Sequence, residues 1–206
     1  MNVSRTLVFV ALGDSLTAGF TPYLTDPDIP YTTYLQDLAS TEQPGNPTEQ
    51  INCTFVNLGV NGDDARGMIE RMVTEVAPRE PDYVIVWGGI NDLLIGRVPI
   101  HVMESLEQVY LMAREQDLEP IACTLTSVTY QGAIISRIME LNGLIRHHCT
   151  ENRIRLADLF RAMSNEPGLL VGEYSSDGLH LNNNGNKRIA ETIYSEAIKF
   201  ILLNIR

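Results

Sequence analysis

Thr6-Leu7-Val8-Phe9-Val10-Ala11-Leu12 runs directly into Gly13-Asp14-Ser15-Leu16-Thr17, and this junction decides the fold. The first stretch is apolar throughout its core, without a polar residue at every second place. That is the pattern of a strand buried on both faces. Comparable runs recur at Cys53–Leu58, Tyr83–Trp87, Pro120–Leu125 and, more briefly, Ile154–Ala157. Between them, apolar residues fall at helical spacing: Met103, Leu106, Val109 and Ala113, then Ile134, Ile138, Leu141 and Ile145, then Ile189, Ile193, Ala197 and Phe200. Tyr31–Ala39 and Asp64–Val76 read as two further helices. Pro99 sits early in the helix of Met103 to Ala113, at a position where a missing N–H costs nothing. Strands alternating with helices predict an α/β fold, a five-stranded parallel sheet with helices on both faces.

The chain has 206 residues, no internal repeat and no low-complexity tract, which predicts a single domain over residues 1–206. Thr41–Gln50 reads as a polar Pro/Gly loop, and Asn165–Gly178 as a glycine-rich segment expected to move near a site. Basic residues number 15 and acidic residues 26, a net charge of -11. Such a surface repels nucleic-acid phosphates and anionic headgroups, so neither nucleic acid nor membrane is an expected partner. No apolar stretch approaches the length of a membrane span. Leu7–Leu12 resembles the apolar part of a signal peptide, but it is short and leads straight into Gly13-Asp14-Ser15, so cleavage there would destroy that motif; it reads as the first strand. Cys53, Cys123 and Cys149 form no CxxC pair and read as buried thiols in a reducing compartment. A cytoplasmic location follows as an expectation. The sequence carries no signal of oligomeric state.

In open parallel sheets, ligands bind beyond the carboxyl ends of the strands. The residues there are Gly13-Asp14-Ser15, Asn57-Leu58-Gly59-Val60-Asn61-Gly62, Gly88-Gly89-Ile90-Asn91-Asp92 and Asp177-Gly178-Leu179-His180. They supply a hydroxyl, glycine amides, a carboxamide, and a carboxylate with an imidazole. Acyl transfer needs these groups. A serine hydroxyl is a poor nucleophile until a base takes its proton, and His180 can be that base. Asp177, three residues earlier, can orient the imidazole and stabilise its charged form. The Ser15 N–H, the Gly62 N–H and the Asn91 side chain can donate to an oxyanion.

The four blocks Gly13-Asp14-Ser15-Leu16-Thr17, Asn57–Gly62, Gly89-Ile90-Asn91-Asp92 and Asp177–Gly185 resemble, in content and order, the signature blocks of the SGNH/GDSL hydrolase family. The resemblance spans residues 13–185 and implies a three-layer α/β/α, flavodoxin-like fold. It implies Ser15 as nucleophile, Gly62 and Asn91 as oxyanion donors, and Asp177 and His180 completing the triad. It implies no cofactor and no metal, and a small-molecule ester as substrate, with a thioester, a lysophospholipid or an acetylated sugar as alternatives. Thr126–Tyr130 lacks the prolines that many members place after the fourth strand, and Gly88-Gly89 is an unusually permissive turn.

Each residue also has a plain structural reading. Ser15 could cap a helix, Gly62 could serve a turn, and Asn91 or Asp177 could close a loop. Asp14 reads as orienting its turn, Asp92 as stabilising a loop, and Arg66 and Arg71 as pairing with the acidic excess. His147 and His148 read as solvent-facing, and His101 has no carboxylate partner evident nearby. A Mg²⁺-dependent phosphoryl-transfer protein would use Asp14 and Asp92, but Leu16 stands where a second acid is needed and neither Lys187 nor Lys199 follows a late strand. A flavin-binding module on the same fold would not need Ser, Asn, Asp and His together. An α/β-hydrolase would need a second glycine after the nucleophile.

Overall fold

The computed structural model describes residues 5–22, 29–41, 51–165 and 168–205. Strand β1 (Arg5–Gly13) pairs in parallel with β2 (Ile51–Gly59) on one side and β3 (Tyr83–Trp87) on the other. Strands β4 (Glu119–Cys123) and β5 (Arg155–Ala157) extend the sheet, giving the order β2-β1-β3-β4-β5. Side chains alternate across a strand, so Leu7, Phe9 and Ala11 lie on one face of β1 and Val10 and Leu12 on the other. All five are buried, which requires cover on both faces.

Helices supply that cover. α2 (Tyr31–Thr41), α7 (Leu159–Met163) and α8 (Asn183–Ile193) pack together on one face. α3 (Ala65–Arg71), α5 (Pro99–Glu115) and α6 (Ala133–Asn152) pack on the other. Met103, Leu106, Val109 and Ala113 of α5, and Ile138, Leu141 and Ile145 of α6, are buried as their spacing predicts. Each fully buried Leu, Ile or Met contributes roughly 1.5–3 kcal/mol against exposure. The fold is the three-layer α/β/α sandwich expected, with short helices α1 (Ser15–Ala18) and α4 (Ile90–Leu94) at the strand ends.

Three local differences have physical causes. β4 ends at Cys123 rather than Leu125 because the buried Asn142 side chain bonds both the N–H and the carbonyl of Leu125, at 2.7 and 2.9 Å, in place of a strand partner. The helix expected over Asp64–Val76 has Asp64 as its N-cap and widens to a π turn over Met72–Val76. A second π turn, Tyr194–Ile198, breaks the helical period ahead of α9 (Lys199–Asn204). It turns Ile201 and Leu202 inward and leaves Phe200 55% exposed under the Arg155 guanidinium. Of the Thr41–Gln50 loop, all but Thr41 lies outside the described residues, as do 166 and 167 of the Asn165–Gly178 tract.

The register fixes where chemistry can sit. Gly13 lies opposite Gly59 of β2 and Trp87 of β3, so the three strands end at one level. The sheet reverses direction of growth between β1 and β3, and in such sheets ligands bind beyond the strand ends at that point.

Candidate active site

β1 delivers Gly13 to this edge, and the chain turns at once into α1. Asp14 is the N-cap: its Oδ1 accepts the Leu16 N–H at 2.9 Å. Gly19, at φ 79°, closes the helix and donates its N–H to the Ser15 carbonyl. The result is a tight strand–turn–helix that holds Ser15 in one orientation.

The loop before α8 brings in the other half. Ser15 Oγ lies 3.1 Å from His180 Nε2, although the residues are 165 apart in sequence. His180 Nδ1 lies 2.7 Å from Asp177 Oδ2. With the Nδ1–H donated to Asp177, Nε2 offers its lone pair to the Ser15 hydroxyl. Asp177 Oδ1 accepts the N–H groups of Leu179 and His180 at 2.9 and 2.7 Å. Burial alone would raise the Asp177 carboxyl. The His180 ring and the two N–H donors outweigh it and hold the group below the usual carboxylate range. Phe20 meets the imidazole edge-on, with ring centroids 4.9 Å apart.

Two supports escaped the sequence reading. Ser175 donates to the His180 carbonyl at 2.6 Å and accepts the Gly178 N–H at 2.9 Å, pinning the loop from within. A serine two residues before Asp177 is a recognisable turn-closing hydroxyl, so the signal was there. The Gly178 carbonyl accepts the Thr129 N–H at 3.0 Å, which docks the loop on the proline-free segment after β4.

Gly62 and Asn91 arrive from two other strand ends. The Val60 N–H donates to the Gly13 carbonyl at 3.0 Å, tying the Gly62 loop to the Ser15 strand. Gly62 has φ 78°, and a Cβ there would meet nothing within 4 Å, so glycine serves the backbone conformation rather than space. Asn91 Nδ2 donates to the Asp63 carbonyl at 2.8 Å, placing the amide beside that loop, and its second N–H has no acceptor among the described residues. Among the described residues, the N–H groups of Ser15 and Gly62 have no acceptor. Gly89, at φ 111°, starts α4, and Gly88 lies against Met68, where a Cβ would collide with the thioether; the double glycine is what lets Asn91 sit this close.

Other charged groups near these loops are occupied. Asp92 accepts the Ala65 N–H at 3.0 Å and Arg97 Nη1 at 2.5 Å, which stabilises its loop. Arg71 pairs with Asp63 at 2.7 Å and Glu75 at 3.0 Å, and also donates to the carbonyls of Gly13 and Leu58. His101 does have a carboxylate partner, Glu104, at 3.0 Å one turn on. His148 pairs with Glu107 at 3.1 Å and is largely covered, beside Tyr110. Cys53, Cys123 and Cys149 are buried free thiols. Among the described residues, no group of three or more His, Cys, Asp or Glu could hold a metal ion.

Residues 11–188 match the model of the GDSL-like lipase/acylhydrolase family. The chain belongs to that family. Solved structures share the fold. The lipase/acylhydrolase from Enterococcus faecalis is 25% identical, with TM-score 0.74 over 95% of this chain and 96% of that one. The acetyl xylan esterase AlAXEase is 21% identical, with TM-score 0.75 over 93% and 100%. A lipolytic protein of the G-D-S-L family from Veillonella parvula is 19% identical, with TM-score 0.75 over 94% and 99%. The latter two are similar in fold. No curated protein sequence matches significantly. In this GDSL hydrolase no helix among the described residues is long and apolar enough to cross a membrane.

Proposed function

We propose that this GDSL hydrolase cleaves carboxylic esters of small or short-chain acyl groups through an acyl-enzyme on Ser15. One observation carries the reading: the unbroken contact chain from Ser15 Oγ through the His180 ring to Asp177, at 3.1 and 2.7 Å. His180 Nε2 takes the Ser15 proton as Oγ attacks the carbonyl carbon, and the carbonyl electrons move onto oxygen. The N–H groups of Ser15 and Gly62 and the second Asn91 N–H receive that oxyanion. Collapse breaks the bond to the alcohol oxygen, which leaves with the proton from His180. Water then gives a proton to His180, attacks the acyl carbon and restores Ser15. Asp177 stays ionised throughout and stabilises the imidazolium. A net charge of -11 supports a small substrate in solution over an anionic lipid surface.

The test is labelling with a fluorophosphonate. Wild type is expected to react and Ser15→Ala to remain folded, unlabelled and inactive. Labelling that persists in Ser15→Ala would overturn the nucleophile assignment. A chain-length series of aryl esters, run beside acyl-CoA thioesters and acetylated sugars, ranks the substrates. Short aryl esters are expected to turn over fastest.

A further inference from the structure

Phe20 follows α1 and is fixed to the nucleophile's own backbone: its N–H donates to the Ser15 carbonyl at 3.0 Å. Gly19 before it is left-handed and packs on Pro30, which leads into α2; a Cβ on Gly19 would lie 2.8 Å from the Pro30 Cα and Cβ. So held, the Phe20 ring meets the His180 ring with centroids 4.9 Å apart and planes at 76°. It still keeps 37% of its surface open, whereas Leu16 of the same short segment is 4% exposed. A single apolar side chain at a surface is ordinary. This one touches the base of the proposed triad, and bracing His180 needs the contact but not the open face.

The chemistry of ester cleavage says which part of a substrate meets that face. Attack by Ser15 Oγ leaves three other groups on the former carbonyl carbon. The oxyanion turns to the N–H groups of Ser15, Gly62 and Asn91. The alcohol oxygen comes within about 3.2 Å of His180 Nε2, because it departs with the proton held there. The acyl group takes the remaining direction. A side chain against the His180 ring therefore borders the alcohol and not the acyl chain. Phe20 offers that alcohol a flat apolar surface with no charge and no hydrogen-bonding group. Such a surface makes its largest contact with another ring, and a methyl group covers little of it.

We propose that Phe20 is a specificity-determining residue, the platform of an alcohol subsite that selects esters whose leaving alcohol carries a ring, aromatic or saccharide. The selection acts on formation of the acyl-enzyme, the step in which the alcohol is still attached. Water, which takes the alcohol's place in the second half of the reaction, is too small to use the platform. The inference deepens the reading of Ser15 as nucleophile and rests on it.

Methyl, butyl and benzyl acetate and an O-acetylated methyl glycoside test it. Each ester is compared between wild type and variant, so its intrinsic reactivity cancels. Phe20→Leu keeps apolar bulk against His180 and loses the ring. Its kcat/KM is expected to fall about tenfold more for benzyl acetate, for the glycoside or for both than for methyl acetate, and Phe20→Tyr to restore the wild-type ratio. Which ring ester responds tells an aromatic alcohol from a sugar. Benzyl acetate, butyrate and hexanoate, one alcohol with three acyl groups, are expected to keep their wild-type ratios in Phe20→Leu. An equal loss on all four acetates, the result of a mere brace for His180, overturns the proposal. So does a loss for butyl as large as for the ring esters, or a shift that follows the acyl group. In wild-type protein, without any variant, benzyl alcohol or the free methyl glycoside is expected to move the His180 ring-proton resonances where methanol at equal concentration does not. No movement with either overturns the proposal. Benzyl acetate turnover that survives in Ser15→Ala means that the nucleophile reading has failed and the subsite with it. An inactive Ser15→Ala beside equal losses in Phe20→Leu means that the subsite alone has failed.

Discussion

Asn91 has two amide protons, and the Asp63 carbonyl takes one of them at 2.8 Å. That bond holds the carboxamide plane, so the second N–H points in a set direction before substrate arrives. Donors fixed in advance stabilise a transition state without reorganising. Asn91→Ala is expected to lower kcat by about a hundred- to a thousandfold and to change KM little. Fluorophosphonate labelling should be slowed but not abolished, since Ser15 and His180 remain. A rise in KM alone, with kcat intact, would make Asn91 a ground-state binding residue instead. Gly62 offers a contrast at the same scale. Its missing Cβ would meet open space, so Gly62→Ala acts only through the backbone, where an L-residue in the left-handed region costs about 1–2 kcal/mol. It is expected to lower kcat and to lose about that much in urea unfolding, and an unchanged kcat would remove the Gly62 N–H from the oxyanion site.

The elements meet through side chains that periodicity does not reveal. Arg71, at the end of α3, donates to the carbonyls that close β1 and β2 and to Asp63, so one buried guanidinium ties two strand ends to the loop that carries Gly62. Breaking a buried ion pair by removing one partner typically costs about 3–5 kcal/mol, because the other charge is left without compensation. Arg71→Met is expected to lose that much in urea unfolding and to lower kcat as the loop drifts, with Arg71→Lys restoring part of both. A stability change under about 1 kcal/mol would show that the strand-end bonds carry no weight. Gln36 does similar work at the sheet edge. Its amide donates to the Cys53 carbonyl at 2.8 Å and accepts the Phe55 N–H at 3.3 Å, occupying β2 backbone that would otherwise template another strand. Dense apolar runs make all five strands readable from composition to within about two residues, and the strand order of a doubly wound sheet tells which residues share its edge. Ser15, Asp177 and His180 could be named on that ground, and the structure brings them into contact. Arg71, Gln36 and Asn142 could not be placed the same way. Their partners include backbone groups of other segments, and a hydropathy pattern reports which face is apolar, not which carbonyl lacks a donor. Phe200 escaped for a related reason: a π turn alters the helical period without a compositional mark.

Over the whole molecule, two sets of carboxyls pull stability in opposite directions with pH. Asp158 would be raised by burial, but the Arg146 guanidinium and the Arg161 N–H hold it below its ordinary value, and Asp177 is depressed as described. Depressed groups stabilise the fold above their unfolded values near 4, and that stability is lost as pH falls through the folded values. Asp14 is shifted the other way, from 3.8 to about 7, chiefly by burial. Its contribution is fully present in acid and is lost as pH rises from about 4 towards 7, up to about 4 kcal/mol at full ionisation. Asp63, also raised by burial despite Arg71, adds in the same sense. The net charge of -11 adds self-repulsion on that side as well. The expected outcome is a stability maximum near pH 5, with a decline towards pH 8. The single tryptophan, Trp87, is 1% exposed at the end of β3 beside the Gly13 turn, so its fluorescence reports unfolding at the site itself. Urea titrations at a series of pH values, read by Trp87 and by far-ultraviolet circular dichroism, measure the decline and check that both probes share one transition. Asp14→Asn is expected to remove most of the slope between pH 5 and 8 while leaving the acid limb of Asp158 and Asp177 in place. Equal stability at pH 5 and pH 8 in wild type would mean that Asp14 is ionised at little cost, and its burial would then need a different explanation.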